Sequence, residues 1–153
     1  VGGIVSTIKV DTIQTRGGVS EIAIDKLKGV SSASSISVVA EGGSTTTNLQ
    51  QGLAKFWTNL NGSGTIATRD SFNISSTSDD ATGIYTFTIN SDMADANYHI
   101  TGSVGRAGLA TATISNDSSP QNTAGQVQII CANSSNAAFD PPAVFTSGHG
   151  DLA

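Results

Sequence analysis

The sequence predicts an all-β fold: an antiparallel β-sandwich or barrel, preceded by an extended N-terminal leader of short strands. Three observations carry that prediction. Apolar residues recur at every second position in separate segments, as in Tyr85, Phe87 and Ile89, in Tyr98, Ile100 and Val104, and in Val127, Ile129 and Cys131. Turn-forming clusters separate these segments at the short, regular spacing of a sandwich or barrel. Serine, threonine, asparagine and glycine together make up 66 of the 153 residues, while charged residues are 12% and prolines number three. So little charge argues against a solvated disordered chain.

A chain of this length suits one domain, or a small domain with an extension. It can bury roughly 70% of its unfolded surface, enough for a core. No apolar run approaches the ~20 residues of a membrane-spanning helix, so membrane insertion is not expected. The net charge is −5. A surface that neutralises phosphates is therefore not expected, and nucleic acid is set aside as a partner.

Residues 1–47 read as a leader and 48–153 as the β domain. The leader has no aromatic residue. Ile4, Ile8 and Val10 mark one short strand, Ile22 and Ile24 a second, and Ile36, Val38 and Ala40 a third. Gly42 to Thr47 reads as a closing loop. Each piece is too short and small-sided to bury itself, so it must pack on the rest of the chain or on other copies. Val1 to Val5 shows neither the basic nor the long apolar segment of a secretion signal.

Asn48 with Gln51 three residues on has capping-box spacing. Leu49, Leu53 and Phe56 or Trp57 then repeat at helical intervals over Asn48 to Trp57. Gly52 weakens that helix, and a strand beginning at Ala54 competes with it. Asn61 to Gly64 is a turn. Strands follow at Thr65–Arg69 and Phe72–Ser75, with a polar turn over Ser76–Thr82 centred on Asp79 and Asp80. The alternating strands follow over 85–89, 98–104, 110–114 and 127–131. Ser91–Asn97, Gly105–Gly108, Asn116–Gly125 and Asn133–Pro142 separate and close them as turns.

The chemistry-bearing residues are sparse. Cys131 is the only cysteine, which excludes an intrachain disulfide and suits a small buried hydrophobe. His99 falls on the polar face of its strand, and His149 lies in a glycine-flanked C-terminal tail. Neither has a second histidine nearby, so no zinc-type spacing arises. Asp79, Asp80, Asp92 and Asp95 sit in expected turns, where aspartates cap the backbone. The spacing of a calcium loop is absent. Glu21 and Glu41 both lie in the leader. No nucleophile elbow or phosphate loop occurs. Sequons at Asn61, Asn73, Asn116 and Asn133 are expected by chance in so serine- and threonine-rich a chain. Trp57, the only tryptophan, fits a core position. If exposed, Trp57, Tyr85 and Tyr98 would stack on sugar rings. No catalytic, cofactor-binding or metal-binding residue is expected, and the sequence singles out no ligand-binding residue.

Ordered blocks carry a resemblance. Residues 52–57 (Gly-Leu-Ala-Lys-Phe-Trp) lead through 61–67 into 69–76 (Arg-Asp-Ser-Phe-Asn-Ile-Ser-Ser). Residues 83–90 (Gly-Ile-Tyr-Thr-Phe-Thr-Ile-Asn) and 93–98 follow, and 8–18 precedes them. Together these resemble a module of tail-fibre-like virion structural proteins of tailed bacteriophages, many of them marine. The match covers 8–18 and 52–104. Phe56 stands where that module has alanine, and Leu60 where it has an aromatic. The resemblance implies a homotrimer on the virion, attached to other virion proteins through residues 1–47, with no defined active site.

The expectation is thus a non-enzymatic structural virion protein: a short tail fibre or fibre-like component, projecting its β domain for host attachment. A head-decoration or cement protein is the alternative within the virion. A carbohydrate-binding adhesin module meeting a host cell-surface glycan is the alternative from another class. Length and the missing carboxylate constellation argue against a depolymerase.

Overall fold

A computed structural model describes residues 25–27, 36–105, 112–116 and 122–153. The fold is all-β. After a hairpin, β1 (Ser37–Val39) and β2 (Thr46–Asn48), comes one helical turn, α1 (Leu49–Gly52). Eight strands follow: β3 (Phe56–Asn61), β4 (Ala67–Phe72), β5 (Ile74–Ala81), β6 (Ile84–Ile89), β7 (His99–Gly105), β8 (Ala112–Asn116), β9 (Gln126–Asn133) and β10 (Ala143–His149). They form two four-stranded antiparallel sheets, in the orders β4-β3-β10-β7 and β5-β6-β9-β8. Each sheet ends in edge strands, so the architecture is a sandwich and no barrel closes.

Alternation along each strand builds the core. Phe56, Leu60 and Val144 point inward from one sheet, and Tyr85, Phe87, Val127, Ile129 and Cys131 from the other. Phe56 meets Tyr98 edge to face, with ring centroids 5.9 Å apart. The Tyr98 hydroxyl donates to the carbonyls of Thr123 and Gln126. The alternating strands over 85–89, 98–104 and 127–131 are thus present with the expected faces inward.

Several expectations are corrected. The helix over 48–57 stops after one turn. Asn48 does cap it, accepting from the Gln51 N–H at 2.9 Å, but Leu53 is already extended. Lys55 then donates from Nζ to the carbonyls of Gln50 and Leu53, satisfying groups the short helix leaves open. Burial pushes the Lys55 pKa down, and nearby Asp151 opposes that.

The polar stretch Ser76–Thr82 is strand β5 as far as Ala81, and only its last residue, Thr82, lies in a turn. Its polarity is matched by the neighbouring strand: Asp80 accepts from Thr86 and Ser78 hydroxyls, and from the Gln128 amide at 2.9 Å. The reversal instead falls at Gly83. There φ is +70°, and an added Cβ would lie 2.7 Å from the carbonyl oxygens of Cys131 and Phe139.

Phe72–Ser75 is broken at Asn73, which takes φ 58°. Its side chain donates to the carbonyls of Lys55 and Ser91 and accepts from the Ser91 N–H, fixing the passage from one sheet to the other. Thr46 and Thr47, expected in a loop, pair with β1. The C-terminal stretch forms β10, a central strand. His149, expected in a tail, ends this strand, whose inward positions include Thr146 and Gly148, so that local apolar alternation does not mark it. The leader strands at Ile4–Val10 and Ile22–Ile24, residues 106–108 of the turn at Gly105–Gly108 and residues 117–121 of the turn at Asn116–Gly125 lie outside the described residues.

Candidate functional site

The outer face of the β4-β3-β10-β7 sheet gathers what the sequence scattered. Register places Phe72 opposite Trp57, Trp57 opposite Ser147, and Ser147 opposite Thr101. One step along, Asp70, Asn59, Phe145 and Ser103 form the next row. Strand alternation sends all of these to the side away from the core. Trp57 is 36% exposed, Phe72 53% and Phe145 42%. A shallow depression of about 590 Å³ runs over the centre of this face.

A core position for Trp57 is therefore overturned. Phe56 beside it points inward instead, so one strand residue separates core from surface. Tyr85 and Tyr98 are the reverse case: both are core rings, unavailable for stacking. The Tyr85 hydroxyl donates to the Gly62 carbonyl and to Asp140, and burial raises its pKa.

A bulge shapes one flank. Between the pairs Asn59–Asp70 and Leu60–Thr68, Arg69 is the extra residue. Its guanidinium donates to the Asn59 and Asn61 side-chain oxygens and to the Pro142 carbonyl, the last at 2.6 Å. Asn59 thus has its amide oxygen held, and its NH2 has no partner among the described residues.

The two histidines are not isolated. His99 and His149 are register partners across β7 and β10, next to Thr101 and Ser147 on this same face. It is strand β10 that brings His149 across from His99, which sequence distance alone does not signal. Two ligands fall short of a zinc site, and no group of three metal-ligating side chains occurs among the described residues.

The carboxylates do not converge. Asp80 belongs to the outer face of the other sheet, and its hydrogen bond from Thr86 holds its pKa below the usual range. Asp95 caps the Asn97 N–H at 2.7 Å. Asp92 lies beside Gly125. Cys131 is buried, and burial followed by the Asp140 charge pushes its thiol up to about 12.

A second hollow, of about 500 Å³, lies at the end of the sandwich under α1, bordered by Leu53, Phe72 and Leu152. The β1–β2 hairpin is exposed on both faces, and among the described residues it touches chiefly α1 beyond its own ladder.

No protein-family model matches the chain, and no curated protein does. Among solved structures it is similar to the phiAB6 tailspike in complex with three-repeated oligosaccharides of Acinetobacter baumannii surface polysaccharide. The TM-score is 0.49 and the identity 15%, over 75% of this chain and 23% of that one. The chain thus spans less than a quarter of that tailspike's length.

Proposed function

We propose that this chain is a structural virion protein of a tailed bacteriophage, a short tail fibre or fibre-like component. It docks through residues 1–47 as a homotrimer against other virion proteins, and projects its sandwich outward for host attachment. The observation that carries this reading is the β1–β2 hairpin, with Val38 and Val39 49% and 57% exposed. A two-stranded hairpin is marginal in water by itself. Apolar residues on such an element favour a partner that covers them, and other chains supply one. The ordered blocks over 8–18 and 52–104 support the assignment to a phage particle.

The role is binding and scaffolding without catalysis. Asp80 and Asp95 are engaged in holding neighbouring groups, and catalysis asks for acid and base groups free to meet a substrate in matched geometry.

Deleting residues 1–47 tests the docking role. The shortened chain is expected to stay soluble and to be lost from particles. Incorporation at the wild-type level overturns the reading. A map of the intact particle separates a tail position from a head-decoration position. The exposed Trp57 face favours one further element, an adhesin role toward a host glycan.

A further inference from the structure

We propose that the outer face of the β4-β3-β10-β7 sheet is a platform for a neutral oligosaccharide, with Trp57 at its centre. This rests on the host-attachment part of the function proposed above, and gives it a surface and a ligand class.

The apolar part of the platform comes from register. Directly opposite side chains stand about 4.5–5.5 Å apart and diagonal ones about 7–8 Å. Phe72 is directly opposite Trp57, and Phe145 is diagonal to it across β10. The three residues therefore occupy one stripe of neighbouring register positions across three strands, all of them exposed, with Trp57 and Phe145 bordering the central depression. Neighbouring exposed aromatic residues of this kind mark a surface that meets something. Beside the stripe stand Asn59, Ser103, Thr101 and Ser147, amides and hydroxyls without charge. A pyranose has the complementary pattern: a C–H face for the rings and a hydroxyl edge for the polar side chains. A peptide added as a strand is disfavoured here. β3 and β10 are central strands whose backbones already pair on both sides.

Charge selects the class of sugar. Arg69 is the cation on this flank, and its guanidinium is committed to Asn59, Asn61 and Pro142. Asp70 stands opposite Asn59 on the same face. A uronate, sialate or phosphate would meet that carboxylate with the nearby guanidinium already occupied. A neutral sugar instead finds an acceptor in Asp70 and a donor in the Asn59 NH2. Arg69 is thus a positioning residue, orienting the Asn59 amide.

Trp57 is the only tryptophan, so its emission reports this site alone. The full chain is titrated with cellohexaose, maltohexaose, mannohexaose and chitohexaose, with hexagalacturonate as the acidic control. At least one neutral probe is expected to change Trp57 emission saturably. Phe145→Ala and Phe72→Ala should each weaken that binding roughly tenfold or more, as anchor truncations do. Trp57→Ala, followed by calorimetry, should abolish it. These side chains are exposed, so urea midpoints should stay near the wild type. Three results overturn the proposal. One is that no neutral probe saturates. Another is that hexagalacturonate binds as tightly as the neutral probes. The third is that acrylamide cannot quench Trp57 in the free full chain, which would mean another copy covers the face. A wild-type chain that binds no neutral probe, while deletion of residues 1–47 still removes it from particles, would sink this proposal alone. Incorporation of the chain lacking residues 1–47 would sink the docking reading alone.

Discussion

The Phe56 ring lies directly over Gly148, its register partner across β3 and β10. A Cβ built on Gly148 would fall 2.1 Å from the Phe56 Cε1 atom. Glycine is present there because the ring takes the side-chain space. Gly148→Ala should destabilise by at least about 1–3 kcal/mol, the cost of overpacking. Phe56→Ala should cost about 3–5 kcal/mol. The two changes share one volume, so their combination should cost less than their sum. Urea midpoints of the four proteins in this cycle check it, and strict additivity would show that ring and glycine do not compete.

That pair also explains what the sequence concealed. Strands with aromatic or branched residues at alternate positions were legible, because Tyr85, Phe87 and Ile89 or Val127, Ile129 and Cys131 state their buried face directly. β10 was not, since its inward positions are Val144, Thr146 and Gly148, and only the first looks like core. β5 was hidden for the opposite reason. Asp80 and Ser75 find partners on β6 and β9, a tertiary fact absent from local pattern. The aromatic face shared both difficulties. Trp57 alternates with Phe56, and a local window cannot say which ring faces the core. Phe145 belongs to β10, whose small and polar inward residues carry no apolar alternation.

Thr58 and Thr146 are opposite one another on the inward face of the first sheet, and both are almost fully buried. Neither hydroxyl has a hydrogen-bond partner among the described residues. An unsatisfied buried hydroxyl costs about 1–3 kcal/mol, and a methyl of similar shape removes that cost. Thr58→Val and Thr146→Val should each raise stability, by roughly 1 kcal/mol. Thermal unfolding reads the change. A fall in Tm for both variants would show that the hydroxyls are satisfied in solution.

Asp80 ties β5 to the rest of its sheet. Thr86 donates to it at 2.5 Å, Ser78 and Gln128 add two more bonds, and Gln128 also donates to Thr86. Asp80→Ala should cost roughly 1 kcal/mol and raise amide exchange along β5 ahead of β6. The Thr86 bond holds the folded-state pKa below the ordinary carboxylate value of 3.8. The stabilisation from this carboxylate is therefore present above that value and is lost as pH falls through the lower folded one. Equal exchange along β5 in Asp80→Ala and wild type would remove this role.

At alkaline pH the core should lose stability in a defined window. Burial pushes the Tyr98 phenol up to about 12, and burial with the Asp140 charge pushes the Cys131 thiol to about 12. In the unfolded chain these groups ionise near 10.0 and 9.0. Folding therefore retains protons that the unfolded chain gives up. The stabilisation is complete below pH 9, declines once the unfolded thiol ionises, and is lost as pH rises through about 12. Lys55 works in the opposite sense, because its folded pKa is lowered. The informative quantity is thus a difference between proteins. Cys131→Ala should flatten the decline that begins near pH 9, and Tyr98→Phe the part that begins near pH 10. Tyr98→Phe also gives up hydrogen bonds to the Thr123 and Gln126 carbonyls, so its stability at pH 7 should be lower by roughly 1 kcal/mol. Urea titrations at intervals from pH 7 to 11 measure both effects. A thiol reagent at pH 8 supplies an independent reading: Cys131 should react only at the rate of unfolding. Rapid labelling of the folded chain, together with a flat alkaline limb, would show that this side of the core is open to water.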